Sequence, residues 1–452
     1  MTRYKRLAKG LEKDALLALQ KFVAIDSVYD ANTITSDAPY GAGVKKALDY
    51  VAKLGEDYGF AIDKCDGRAT ELTIGESGPL ISIFAHADVV PASGKWSNPP
   101  FSPTLKDGRL WGRGTSDDKG PLIAAFYAIK SLKDAGLISK FRVRLVAGGD
   151  EERGSSCLEY YFHKLNKEAP KFGFTPDSEF PLVYGEKAMK GAIATRILDL
   201  APIINMDGGV VSNAVCDSLV VTIKHDQNFV DFFKEQKISG DISSAGLIDI
   251  VTFKGKSSHG SLPEKGINAA LLAFETLGNF YNLEALKTLA TSLKDPNGRS
   301  FGGYCHSPEL GDTTYNYGII KYDGHVLKMM VDFRFGENTD PNACIKALES
   351  ASKMSVTIIS STDKLLFDRR SSLVSTLMKA YRKETHDYFS KPMAIGGGTY
   401  AKEAPNTVAF GSAFKGHDGS IHAPDEYIYI DDFNKQIAIY ARAILALGKA
   451  SK

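Results

Sequence analysis

Two acids stand side by side where the glycine-bounded loop "GRGTSDDKGP" (112–121) runs into an apolar segment. Solvated acids are common at helix N-termini, where they complement the helix dipole, so Asp117 and Asp118 alone establish no function. Other segments add to them. "HADVVP" puts His86 at the end of an apolar run with Asp88 two residues on. An aspartate so placed can accept the N–H of a ligand imidazole and fix its tautomer. "GGDEERGS" holds Asp150, Glu151 and Glu152 in a glycine-bounded turn, where one carboxylate could ligate a cation while its neighbour moves protons. "FTPDSEFPL" adds Asp177 and "SIHAPDE" adds His422. Each of these alone reads as an ordinary loop acid or surface histidine. Together, two histidines, one shared acid and two further acids could hold two metals about 3.5–4 Å apart. Nitrogen and oxygen donors without thiolate suit Zn²⁺, Mn²⁺ or Co²⁺.

Such a set needs a frame. "LISIFAHADVV" reads as a buried strand and "PLIAAFYAIKSLKDAGL" as a helix with Pro121 in its first turn. "FRVRLVAGGDEE" is strand then loop, and "SSCLEYYFHKL" a helix. This alternation predicts an α/β fold, a mostly parallel sheet covered by helices with sites at the carboxyl ends of its strands. His86, Glu151 and Glu152 fall at such ends. From 188 to 367 the texture becomes α+β, with a hairpin expected about Asp323-Gly324 in "TTYNYGIIKYDGHVLKMMVDFRF". We therefore expect a catalytic domain (1–187 and 368–452) interrupted by a lid (188–367).

Composition narrows the function classes. The 452 residues are 43% apolar and 24% charged, enough for a large core and two domains. With 55 basic against 54 acidic residues and no basic run, neither nucleic acid nor an anionic membrane is an expected partner. The N-terminal "MTRYKRLAKGLEKDALLALQKFVAI" reads as an amphipathic helix rather than a leader. Cys65, Cys157, Cys216, Cys305 and Cys344 are scattered, with no Cys-x-x-Cys pair, which suits reduced thiols in a cytoplasmic protein.

"HADVVP", "WSNPPFSP", "GRGTSDDKGP", "DEERGS", "TPDSEFPL", "SSHGSLPEKGINAA", "VDFRF", "GGGTY" and "HAPDEYI" follow one another as in the M20 metallopeptidases. The chain resembles in particular the bacterial PepV-like dipeptidases, relatives of the carnosinases. That resemblance implies two divalent ions, zinc above all, on His86, Asp117, Glu152, Asp177 and His422, with Asp117 as the bridge. It implies Glu151 as general base and Asp88 as the partner of His86. It also implies a cis peptide between Asp117 and Asp118. From the lid, His259 would polarise the scissile carbonyl, Arg334 would bind the substrate carboxylate, and Asn213 would stand near the carbonyl. "VVSNAVCDS" departs from the family's Asn-x-x-Pro pattern at that position. The "GGGTY" loop, with Gly397, Gly398 and Thr399, would line the pocket for the free C-terminus. The activity implied is hydrolysis of dipeptides by a monomer. N-acyl amino-acid deacylation or desuccinylation uses the same machinery, and a non-catalytic peptide binder is the reading from another class.

Overall fold

The computed structural model describes residues 1–417 and 419–451. They form two compact units: Met1–Gly185, Leu366–Met393 and Gly398 onward in the first, Glu186–Leu365 and Ala394–Gly397 in the second.

In the first unit, four adjacent strands run parallel in the order Arg142–Gly148, Leu80–His86, Phe172–Thr175 and Thr407–Ala409. Leu80–His86 is buried at every residue and Arg142–Gly148 at every residue but its first. Burial on both faces is what makes such strands read as continuous apolar runs rather than alternating ones. The parallel region is narrower than expected. The edge strands Ala61–Asp63 and Ala69–Ile74 join it antiparallel, and Val183–Glu186 pairs antiparallel with Thr407–Ala409. The helix Lys119–Asp134 is buried from Lys119 to Leu132, and from Pro121 to Ile129 its sequence has no charged residue. It packs on the closing helix, Ile430–Ala450. At the N-terminus two helices, Arg3–Lys9 and Glu12–Val23, replace the single one expected, with Gly10 capping the first.

The second unit is an eight-stranded antiparallel sheet. Leu219, Val221 and Ile223 alternate inward along Ser218–Lys224, as do Val251 and Phe253 along Ile248–Lys254. They pack with the helices Ala269–Phe280 and Glu284–Leu293 in one core. The hairpin about Asp323-Gly324 joins Thr314–Tyr322 to Val326–Phe335. Ala394–Gly397, placed by sequence after the insert, returns to this unit. Lys187 donates its N–H to the Ile395 carbonyl (3.2 Å), and Arg334 Nη1 donates to the Gly396 carbonyl (2.7 Å). Among the described residues no helix is long and apolar enough to cross a membrane.

Candidate metal centre

The four parallel strands deliver the site. His86 ends its own strand, in register with Gly148 of the next. Glu151 and Glu152 follow Gly148 by a few residues, Asp177 follows Phe172–Thr175, and His422 lies in the long loop after Thr407–Ala409. Asp117 arrives from the loop before the buried helix. Two residues shape that loop. Gly114 has φ +87°, and a side chain on Gly120 would meet the Thr115 carbonyl at 2.1 Å.

Asp117 stands between two histidines. Its Oδ1 lies 2.9 Å from His86 Nε2 and its Oδ2 lies 2.9 Å from His422 Nε2. Asp177 Oδ2 is 3.8 Å from His86 Nε2, and Glu152 Oε2 is 3.2 Å from His422 Nε2. The donors form two groups, His86/Asp117/Asp177 and Asp117/Glu152/His422, with Asp117 common to both. Zinc–ligand bonds of about 2.0–2.1 Å let two ligands of one ion lie up to about 4.2 Å apart, and all four contacts fall inside that reach. Glu151 belongs to neither group.

The His86 tautomer bears on what can sit there. His86 Nδ1 lies 2.9 Å from the backbone carbonyl of Asp88, which can only accept, so Nδ1 carries the proton. In a neutral ring the Nε2 lone pair then faces a carboxylate oxygen, so this contact is bridged either by a second proton on the ring or by a cation that takes its place. Burial pulls the His86 pKa down, but contacts with Asp117 and Asp88 outweigh it and hold it well above the usual imidazole range. His422 is pushed up to about 11, chiefly by its contacts with Asp117 and Glu152. Asp177 is pushed up to about 7 by burial and then by the charge of Asp117. Burial first, then Asp177, raises Glu151; burial first, then Asp117, raises Glu152. With Glu151 the cluster has four carboxylates, which when all ionised would balance two divalent ions. Donor types, spacing and charge therefore fit a two-metal site.

The model of the peptidase family M20/M25/M40 matches residues 83–446. The chain belongs to this family. "Putative dipeptidase YtjP" of Bacillus subtilis (strain 168) is 33% identical over 456 residues, covering 97% of this chain and 98% of that protein. A "Putative dipeptidase" of Staphylococcus epidermidis is 31% identical over 467 residues, covering 98% and 99%. Among solved structures, human carnosine dipeptidase 1 superposes with a TM-score of 0.61 at 14% identity, covering 99% of this chain and 98% of that one. The dipeptidase Dug1p of Saccharomyces cerevisiae gives 0.59 at 14%, with the same coverage. The chain is thus an M20 peptidase of α/β fold with a separate second sheet.

Within this M20 chain, Asp88 meets the His86 ring with two groups: its backbone carbonyl is 2.9 Å from Nδ1 and its nearer carboxylate oxygen 3.6 Å. The carboxylate also accepts the backbone N–H of Glu151 (3.1 Å) and of Glu152 (3.2 Å), a task the two-residue spacing did not suggest. The peptide between Asp117 and Asp118 is cis. Asp118 makes no cap for the following helix; its Oδ2 accepts the His86 N–H at 3.2 Å.

Residues that sequence reasoning passed over support the M20 loop from below. Glu426 and Arg113 form a buried ion pair at 2.8 Å. Lys119 is fully buried, donates to the Ile25 carbonyl at 2.6 Å, and is drawn down to about 7 by burial. All three lie in quoted motifs, Glu426 in "HAPDE" and Arg113 and Lys119 in "GRGTSDDKGP". For Arg113 and Lys119 the available signal was a charged residue beside glycine in a glycine-rich stretch.

The second unit gathers the other candidates. The Asn213 carbonyl accepts the Gly260 N–H (2.6 Å), and Ala214 bridges to His259. His259 Nδ1 accepts the Ser261 N–H (3.2 Å) and lies 2.6 Å from Ser261 Oγ, so a neutral ring carries its proton on Nε2. Arg334 is buried, and its Nε and Nη2 fork onto Asp332 (Nη2 to Oδ2 2.7 Å). Its Nη1 donates to Gly396, beside which lies Ser261. His259, Asn213, Arg334 and Gly396 thus converge on one patch. Gly397 follows in the same unit, whereas Gly398 and Thr399 belong to the first, where Thr399 caps the short helix Tyr400–Glu403.

Proposed function

We propose that this M20 peptidase is a two-metal dipeptidase that hydrolyses the amide bond of dipeptides with a free C-terminus. The observation that carries the reading is Asp117, each of whose oxygens faces a different histidine at 2.9 Å. His86 and Asp177 would hold one ion, Glu152 and His422 the other, and Asp117 both. When bound, such a pair lowers the pKa of a water and polarises the carbonyl.

The chain's own groups do the rest. Glu151, outside both ligand groups, takes a proton from the attacking water and returns it to the leaving amine. Asp88 fixes the Glu151–Glu152 turn through its two amides, which keeps base and ligand in order. His259, with its proton on Nε2, donates to the carbonyl oxygen as charge develops there. Asn213 borders the same patch. Arg334, held by Asp332 through Nε and Nη2 and by the Gly396 carbonyl through Nη1, would offer its remaining N–H groups to the substrate carboxylate.

Metal analysis of active protein is expected to find two divalent ions per chain, zinc above manganese or cobalt, and chelation to remove activity. Full activity in excess chelator would sink the two-metal reading. Dipeptides are separated from N-acyl amino acids, the second reading, by a substrate screen and by blocking the C-terminus. Arg334 orients the scissile bond through the remote carboxylate, so its loss lowers turnover as well as affinity. C-terminally amidated dipeptides are therefore expected to be much poorer substrates than free ones, and Arg334→Ala to narrow the gap by harming the free acids. Equal kcat/KM for both forms rules out the anchor and favours a broader amidase.

A further inference from the structure

We propose that Glu426 is a positioning residue of this centre, locking the bridging Asp117 and the ligand His422 into one register. The inference rests on the two-metal reading above. Glu426 is completely buried, and its charge meets the equally buried Arg113, Nη1 to Oε2 at 2.8 Å. What the pair holds is backbone. The Gly114 N–H donates to Oε2 (3.0 Å), and the Ser116 and Asp117 N–H groups donate to Oε1 (2.9 and 3.1 Å). One carboxylate thus takes three amides of the loop that ends in Asp117, including the amide of Asp117 itself.

The same residue closes the His422 loop, which it follows by four positions. The Glu426 carbonyl accepts the Gly112 N–H at 2.9 Å, and Ser116 Oγ donates to the Tyr427 carbonyl at 2.7 Å. Next to these contacts the strands Arg109–Trp111 and Tyr427–Tyr429 pair antiparallel, Trp111 opposite Tyr427. One loop leaves this strand pair toward Asp117 and the other enters it from His422. His422 and Asp425 both have left-handed backbone (φ +59° and +58°), a region that Asp and His enter more readily than most non-glycine residues. Asp425 is tied to the Ser97 N–H and Oγ at 2.8 Å each, and Glu426 to the Asp117 loop. Asp117 and His422 belong to the same ion's ligand set, so an error in their register falls first on that ion.

The test is Zn²⁺ titration against a competing chromophoric chelator on wild type, Glu426→Gln and the double variant Arg113→Gln/Glu426→Gln. Wild type is expected to take two ions. Glu426→Gln keeps the side chain's size but turns one acceptor into a donor facing N–H groups. It is expected to weaken one of the two sites ~10–100-fold, the cost typical of groups that orient metal ligands, and to lower kcat with KM little changed. The double variant removes the buried charges together and is expected to recover melting temperature without recovering zinc affinity. It also carries the test if the single variant does not fold. Wild-type zinc affinity in Glu426→Gln, or affinity restored in the double variant, overturns the positioning role and leaves a simple ion pair. A wild-type chain that takes fewer than two ions overturns the two-metal reading itself.

Discussion

Glu151→Gln is expected to cut turnover by ~10²–10⁴-fold while leaving metal content near wild type. The amide keeps the shape of the carboxylate but cannot accept a proton from water, and that range is what a positioned general base contributes. Glu151 suits the task by environment. Burial, and after it the charge of Asp177, raises its pKa. The neighbouring carboxylate makes the control. Glu152 lies 3.2 Å from His422 Nε2 and shares a donor group with Asp117, so Glu152→Gln is expected to lose an ion as well as activity. Metal analysis beside kcat for the two variants decides the matter. Should Glu151→Gln lose metal and Glu152→Gln keep it, ligand and base are exchanged.

The two glutamates also show where sequence reading is strong and where it stops. His86, Glu151 and Glu152 could be placed at strand ends because buried parallel strands are short apolar runs and the chain must turn after each. The antiparallel edge strands were not legible in that way, since Ala61–Asp63 and Ala69–Ile74 are short and carry no clear alternation. Asp88 was assigned to the His86 ring from a two-residue spacing. Spacing alone does not say that its carbonyl meets the ring as well, nor that the carboxylate also accepts amides 63 and 64 residues away. Arg334 could be read as a strand arginine paired with Asp332 or as a substrate anchor. In the fold Asp332 does hold one edge of it, because residues two apart on a strand share a face. Glu426 was invisible for a further reason. Its partners are backbone amides of a loop more than 300 residues earlier, and amides leave no trace in side-chain pattern.

Asp117→Asn and Asp118→Asn should part company widely, although the two residues are adjacent and alike. Both oxygens of Asp117 are committed, one to each histidine at 2.9 Å. An asparagine offers one oxygen and an NH₂ group that donates rather than ligates, so it can serve one ion at most. The surviving oxygen should turn to His86, whose ring is buried and fixed through Nδ1 by the Asp88 carbonyl, while the His422 side chain remains half exposed. Asp117→Asn is therefore expected to retain about one ion per chain. A two-metal site contributes several kcal/mol to the transition state, and at 1.36 kcal/mol per tenfold that is a rate loss of ~10³-fold or more. At Asp118 the carboxyl accepts the His86 N–H through one oxygen, and burial, then the charge of Asp177, favours its uncharged form. The neutral amide of Asp118→Asn can accept the same N–H, so both ions should stay and activity should fall by less than ~10-fold, the scale of one ordinary hydrogen bond. Metal stoichiometry and kcat on both variants give the answer. Equal losses at the two positions would mean that the pair acts as one acidic patch, and Asp117 would lose its claim to be the bridge.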